Sequence, residues 1–279
     1  MLSIGQTYIL EVVKITRQGA YVDAENLGEV LLPNKYCSDD LEAGDHLPVF
    51  IYHDSDFLPI ATTQTPRAVV GQFAYLPVIS NSSFGSFLDW GLDKDLLVPF
   101  GEQHRPMEPG QSYLVYVHLN QADGRVIASS KVDKFLDDDA PHDFKSGQAV
   151  QLIIANSTDL GFKAIIEHSH WGLLYKNEVF ERLSFGQSIG GFIKYVRPDG
   201  RIDLALGRAQ ETRDQYTATI LDYLNKHDGF AAAHDKSDPE TIKALFGMSK
   251  KSFKKAIGGL YAKRVISIQS DGIRLINTN

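Results

Sequence analysis

Six cations stand close together near the C-terminal end of the chain: Lys250, Lys251, Lys254, Lys255, Lys263 and Arg264, with no acidic residue among them. On a helix turning 100° per residue, the first four span an arc of about 140°. Phe253, Ile257 and Leu260 fall on another face. Such a helix buries one side and presents a lysine ridge. Like charges crowded together repel one another and favour a polyanionic partner. Between Lys250 and Lys255 there is no Arg, Asn or Gln, the residues that read base edges bidentately. The chemistry of the ridge is therefore phosphate tracking; the competing reading is a solvated lysine face. A second set of residues, Phe84, Phe87, Trp171 and Tyr175, lies in or beside short strand-like segments. Rings that stack on bases, with cations that follow phosphates, are how single-stranded nucleic acid is held. Taken singly, a Phe or Tyr in a strand is more often a core residue, because aromatics are enriched in strands, and Trp171 is as readily buried as exposed.

Residue patterns for covalent chemistry are missing. There is no glycine-rich phosphate loop ending in lysine, and no dinucleotide fingerprint after a strand. Cys37 is the single cysteine; it cannot form an intrachain disulfide and has no metal-spaced partner. His168 and His170 would share a face of a strand, but two ligands do not make a structural zinc site. They read as ordinary strand histidines. Asp137-Asp138-Asp139, before Pro141, reads as a linker and not a magnesium site. The expectation is a protein that is not an enzyme and needs no cofactor or metal.

The chain has 279 residues, 43% hydrophobic and 23% charged, the composition of a folded protein and not a disordered one. No apolar run approaches the roughly 20 residues of a membrane-spanning helix. The start, MLSIGQTY, lacks a basic then apolar leader. A cytoplasmic location is expected. The net charge of -7 argues at first against nucleic acid, but the charge is uneven. Residues 1–64 hold three basic and ten acidic side chains, whereas residues 208–279 hold twelve and eight.

Three segments share one pattern. Each opens with Gly-Gln: Gly5-Gln6, Gly71-Gln72 and Gly147-Gln148. Each continues with an apolar run, a polar turn and a glycine (Gly19, Gly85, Gly161), then a second strand and a third ending Leu31-Leu32-Pro33, Leu97-Val98-Pro99 or Leu173-Leu174-Tyr175. A fourth strand opens at Gly44, Gly110 and Gly186, and a short fifth closes the unit. Five short strands separated by turn residues match the five-stranded Greek-key barrel of the OB-fold. Aligning the glycines makes Tyr21, Phe87 and Lys163 equivalent, and likewise Pro33, Pro99 and Tyr175. Alternation places Phe87 and Leu88 on opposite faces; the sequence does not decide which one faces out.

After Leu206 the spacing becomes helical. Tyr216, Ile220, Tyr223 and Leu224 share a face of a helix over 209–226. Asp238-Pro239 and Ser249 read as N-cap signals for two further helices. Ser270-Asp271-Gly272 joins two short strands as a hairpin. Three helices followed by a hairpin is the order of a winged helix-turn-helix, and the third helix is its usual recognition helix. The expected architecture is mainly β: barrels at 1–64, 65–135 and 144–207, then a winged-helix domain at 208–279.

The segments Gln18-Gly19-Ala20-Tyr21-Val22-Asp23 and Ser83-Phe84-Gly85-Ser86-Phe87-Leu88-Asp89 resemble S1-type RNA-binding domains, and Leu160-Gly161-Phe162-Lys163 does so more weakly. Three such modules before a winged helix resemble the bacterial conserved virulence factor B (CvfB) family over nearly the whole chain. The resemblance implies a cytoplasmic RNA-binding protein with a role in gene regulation. It points to Phe84 and Phe87 in the second repeat as base-facing. In the third repeat it points to Lys163 and Tyr175, alongside Trp171, and the cations Lys176, Lys194, Arg197 and Arg201 add charge there. With the basic winged helix, these make single-stranded RNA the expected partner. The acidic first repeat is expected to be structural or to bind a protein. Competing readings are a DNA-binding transcription regulator and a ribosome-associated translation adaptor.

Overall fold

The computed structural model describes residues 1–136, 142–179, 182–207 and 209–276, with the backbone alone for 209–214. The acidic run Asp137-Asp138-Asp139 and Pro141 lie outside the described residues. The chain falls into two compact units, Met1–Asp137 and Asp138–Asn279.

The first unit opens with β1 (Gln6–Ile15), β2 (Gly19–Asp23), β3 (Glu29–Pro33), β4 (His46–His53) and β5 (Pro59–Thr62), closed in the order β1-β2-β3-β5-β4. Period-two alternation explains β1: Leu10 and Val12 point inward and are buried, while Ile9, Glu11 and Val13 are exposed. A second five-stranded sheet follows: β6 (Phe73–Asn81), β7 (Gly85–Leu88), β8 (Leu96–Pro99), β9 (Ser112–Leu119) and β10 (Val126–Ser129), in the order β10-β9-β6-β7-β8. Its end strands β8 and β10 lie side by side, so it is a nearly closed barrel.

These two barrels share a core. Alternate residues of β4 face opposite ways, and Phe50 and Tyr52 point out of the first barrel. They are nonetheless buried, packed among Leu88, Trp90 and Leu96 of the second. The Phe50 ring meets the Trp90 ring edge-on at 5.5 Å. Burial pushes the Tyr52 hydroxyl up to about 12. Backbone and side-chain bonds add to the seam: the Val70 N–H donates to the Gly5 carbonyl at 2.9 Å, and Gln6 Nε2 to the Val70 carbonyl at 2.7 Å.

A polar knot closes the rim of the same seam. Asp93 of the second barrel accepts from Lys35 at 2.6 Å, Gln64 Nε2 at 2.7 Å and the Tyr36 hydroxyl at 2.9 Å. The Lys35 ammonium, then Gln64 and Tyr36, hold the Asp93 carboxyl well below the usual carboxylate range, at about 2.

In the second unit, β11 (Ala149–Ser157), β12 (Gly161–Ile166), β13 (His170–Tyr175), β14 (Ser188–Val196) and β15 (Ile202–Ala205) close a third barrel with the same order as the first. Each barrel carries an irregularity at the same place in its first strand, between Val12 and Lys14, Val78 and Ser80, and Ile154 and Asn156. Such bulges bend a strand so that it can serve both sides of a small barrel.

The rest is a winged helix: α1 (Ala209–Lys226), β16 (Phe230–Ala231), α2 (Pro239–Phe246), α3 (Lys250–Ala262), β17 (Ile266–Ile268) and β18 (Ile273–Leu275). The Asp238 carboxylate caps α2 by accepting from the N–H groups of Glu240 and Thr241, and Gly247 ends it in a left-handed conformation. The Ser249 hydroxyl caps α3 by accepting from the Ser252 N–H at 3.1 Å. Ile220, Leu224, Ile242, Phe253, Ile257 and Leu260 form the core between the helices. Among the described residues, no helix is long and apolar enough to cross a membrane.

One expectation is corrected here. His168 is not on a strand with His170; it lies in the turn between β12 and β13 at φ +56°. The chain reverses through Glu167 and His168, both at positive φ, so the two histidines do not share a strand face.

Two outcomes follow from the shared seam. Phe50→Ala removes a ring from the core of the other barrel and should cost about 3–5 kcal/mol. Urea unfolding followed by Trp90 fluorescence, with Trp171 changed to Phe, should report that loss from the second barrel although the substitution is in the first. Asp93 has a depressed folded pKa, so its contribution is full above the ordinary carboxylate value of about 4 and is lost as pH falls toward 2. The urea midpoints of the wild type and Asp93→Asn should therefore differ at neutral pH and converge toward pH 2.

Candidate nucleic-acid interface

Each barrel is organised around one close approach. A Cβ built on Gly19, Gly85 or Gly161 would lie 2.0, 2.2 or 2.0 Å from the carbonyl oxygen of Leu32, Val98 or Leu174 on the facing strand. Only glycine allows the two strands to cross so closely. The registers that result are the same three times: Gly19 opposite Pro33, Gly85 opposite Pro99, and Gly161 opposite Tyr175. Tyr21, Phe87 and Lys163 each stand opposite a leucine, Leu31, Leu97 and Leu173. These are the equivalent positions read from the sequence.

The side chains on this common frame differ. In the first barrel, Lys14 pairs with Glu29 and its ammonium lies 4.7 Å over the Tyr21 ring. Lys35 is engaged by Asp93. In the second, Leu88 is buried and Phe87 is half-buried, so Phe87 is the one that turns away from the core. Phe84, in the turn before Gly85, is 72% exposed.

In the third barrel, Lys176 and Arg201 are exposed. Lys194 is tied to Glu178 at 2.6 Å, and Arg197 to Asp199 at 3.0 Å. The Tyr175 hydroxyl donates to Asp203 at 3.3 Å, and the Lys194 ammonium sits 5.6 Å from the Tyr175 ring centroid. Trp171 does not offer the open ring expected of it. It is 8% exposed, and the Lys163 ammonium covers it at 3.8 Å. Trp171 shares a face of β13 with Leu173 and Tyr175, opposite Ile165 and away from the barrel core of Ala164, Ile166 and Leu174, and is buried there beneath Lys163.

The winged helix carries a cluster of solvent-exposed cations. Phe253, Ala256, Ile257 and Leu260 are buried, while Lys251, Lys254, Lys255, Lys263 and Arg264 are exposed. Lys250 is half-buried, its ammonium donating to the Lys236 carbonyl at 3.3 Å. Among the described residues, none of these six cations has an acidic partner. Arg264 sits just beyond α3 at φ +58°. Tyr216 on α1 is bonded to Ser252 on α3, which ties the first helix to the ridge-bearing one.

Tyr261 and Phe100 are among the exposed rings that escaped the sequence reading. Tyr261 is 57% exposed and follows Lys251, Lys254 and Gly258 along one face of α3. Phe100, just after Pro99, is 58% exposed. Carrying the repeat alignment one residue past the third strand would have found Phe100; its counterparts are Asn34 and Lys176.

Three S1-like barrels and a winged helix define a multidomain nucleic-acid-binding protein. Comparison with known proteins agrees. Residues 4–64 match the S1 domain and residues 218–275 the CvfB-like winged helix domain. The chain is similar to Conserved virulence factor B of Staphylococcus epidermidis, at 29% identity over 98% of this chain and 94% of that protein. It is 27% identical to the protein of the same name from Staphylococcus aureus strain bovine RF122, with the same coverage. A solved multidomain protein with nucleic acid binding domains from Streptococcus pneumoniae is 22% identical, covering 98% of each chain at a TM-score of 0.40. The resemblance to the conserved virulence factor B family thus extends over nearly the whole chain.

The opposed faces of β7 give a paired test. Leu88→Ala should lower stability by about 2–5 kcal/mol. Phe87→Ala should instead remove about 1–3 kcal/mol of affinity for single-stranded nucleic acid, the value of one stacked base. Thermal unfolding and fluorescence anisotropy on both variants separate the two effects.

Proposed function

We propose that the protein binds single-stranded RNA in the cytoplasm and acts in gene regulation. The main surface is the winged helix together with the third barrel, and the second barrel adds stacking. The observation that carries this reading is the α3 ridge, whose cations have no acidic partner among the described residues. Four lysines occupy two successive turns of one helix, which concentrates positive charge on a single face.

In the third barrel, by contrast, Lys194 and Arg197 are already paired, and of the four cations read from its sequence only Lys176 and Arg201 stay open among the described residues. The first barrel is assigned a structural or protein-binding role. Of its three basic residues, Lys14 and Lys35 are engaged by Glu29 and Asp93.

Filter binding tests the reading with single-stranded RNA, duplex RNA and duplex DNA at two salt concentrations. Single-stranded RNA should bind most tightly; a preference for duplex DNA would sink the proposal in favour of a transcription regulator. Replacing Lys250, Lys251, Lys254 and Lys255 by alanine should weaken binding to all sequences alike. Each phosphate contact on a single strand contributes about 0.7 to the slope of log K against log salt, so the slope should flatten by about 2–3.

A further inference from the structure

The three barrels share a backbone link that ties the residue before the glycine to the residue after the third strand. The Asn34 N–H donates to the Gln18 carbonyl at 3.1 Å, Phe100 to Phe84 at 3.4 Å, and Lys176 to Leu160 at 3.0 Å. The link holds two side chains at the same rim of each barrel. In the first they are Gln18 and Asn34, and in the third Leu160 and Lys176. In the second barrel both are phenylalanine, 72% and 58% exposed.

Two neighbouring rings left in water forfeit the burial that ordinarily stabilises phenylalanine. Among the described residues, neither ring stacks on another. A cation stands beside them: Lys131 Nζ donates to the Gly101 carbonyl at 2.6 Å, one residue from Phe100. The carboxylate of Glu102, two residues after Phe100, is engaged by Lys134 at 3.4 Å. Open rings beside a cation are the elements of a site for an unstacked base and its phosphate.

We propose that Phe84 and Phe100 form a two-ring stacking site on the second barrel for a purine base of single-stranded nucleic acid, with Lys131 at the adjoining phosphate. The proposal rests on the RNA-binding reading and adds a base preference to it. Purines are favoured because sequence preference on such platforms follows stacking strength, and the purine ring system has the larger face.

The test uses the full chain, with oligo(A) and oligo(U) of equal length, and Phe84→Ala, Phe100→Ala and the double variant. Both positions are exposed, so thermal unfolding should be little changed. The wild type should bind oligo(A) several-fold more tightly than oligo(U). Each single variant should lose about fivefold to a hundredfold of oligo(A) affinity, the range of one base stack. If both rings hold one base, the double variant should lose less than the product of the single losses. Phe100→Tyr should keep the affinity.

Binding of oligo(A) within twofold of wild type by both alanine variants overturns the site while leaving the RNA reading intact. Equal losses for oligo(A) and oligo(U) overturn the purine preference. A wild type that binds neither oligonucleotide overturns the RNA reading itself. Loss of self-association in sedimentation, with RNA affinity unchanged, shows a protein contact instead and also overturns the proposal.

Discussion

The close approach at Gly19, Gly85 and Gly161 governs the three barrels. At each, a side chain would have to occupy the space of a backbone carbonyl about 2 Å away. A carbonyl held in a strand ladder cannot swing aside as a flexible side chain can, so the crossing is available to glycine alone. The crossing sets the register of the second and third strands, and the register decides which residues face out. Tyr21, Phe87 and Lys163 are equivalent because the same steric rule is satisfied three times.

On that common frame, charge and ring placement have diverged. The first barrel is acidic, and two of its three cations are engaged in ion pairs. The second presents Phe84 and Phe100 to solvent. The third has more cations but pairs several of them, and its tryptophan lies beneath a lysine. The winged helix has the opposite character: a well-capped helix with one buried face and one face of lysines. The division follows from where each side chain's nearest counter-charge lies, and net charge per domain describes it only coarsely.

Much of this was legible in the sequence because local rules decide it. The strand alternation, the repeated glycines, the Asp238 and Ser249 caps and the helical stripe of Phe253, Ile257 and Leu260 each depend on a few neighbouring residues. What was not legible depends on partners distant in sequence. Phe50, Ile51 and Tyr52 form a continuous apolar run, the mark of a strand buried on both faces. Only the fold shows that the second face belongs to another barrel. Phe87 and Leu88 could not be ordered by alternation alone. Trp171 reads as an interface residue by type, but Lys163 on the neighbouring strand covers its ring. His168 reads as a strand residue until the turn through Glu167 is seen.

An overall charge of -7 is compatible with binding a polyanion because of the range of electrostatics. At physiological ionic strength the screening length is about 8 Å. A barrel of some 64 residues has a radius of gyration of about 11 Å. The acids of the first barrel are therefore largely screened beyond their own surface. A phosphate at α3 responds to the lysines within a screening length, and these are not neutralised by any described acidic partner. The local arrangement of cations on one helix face, and not the sum over the chain, sets the potential that a nucleic acid meets.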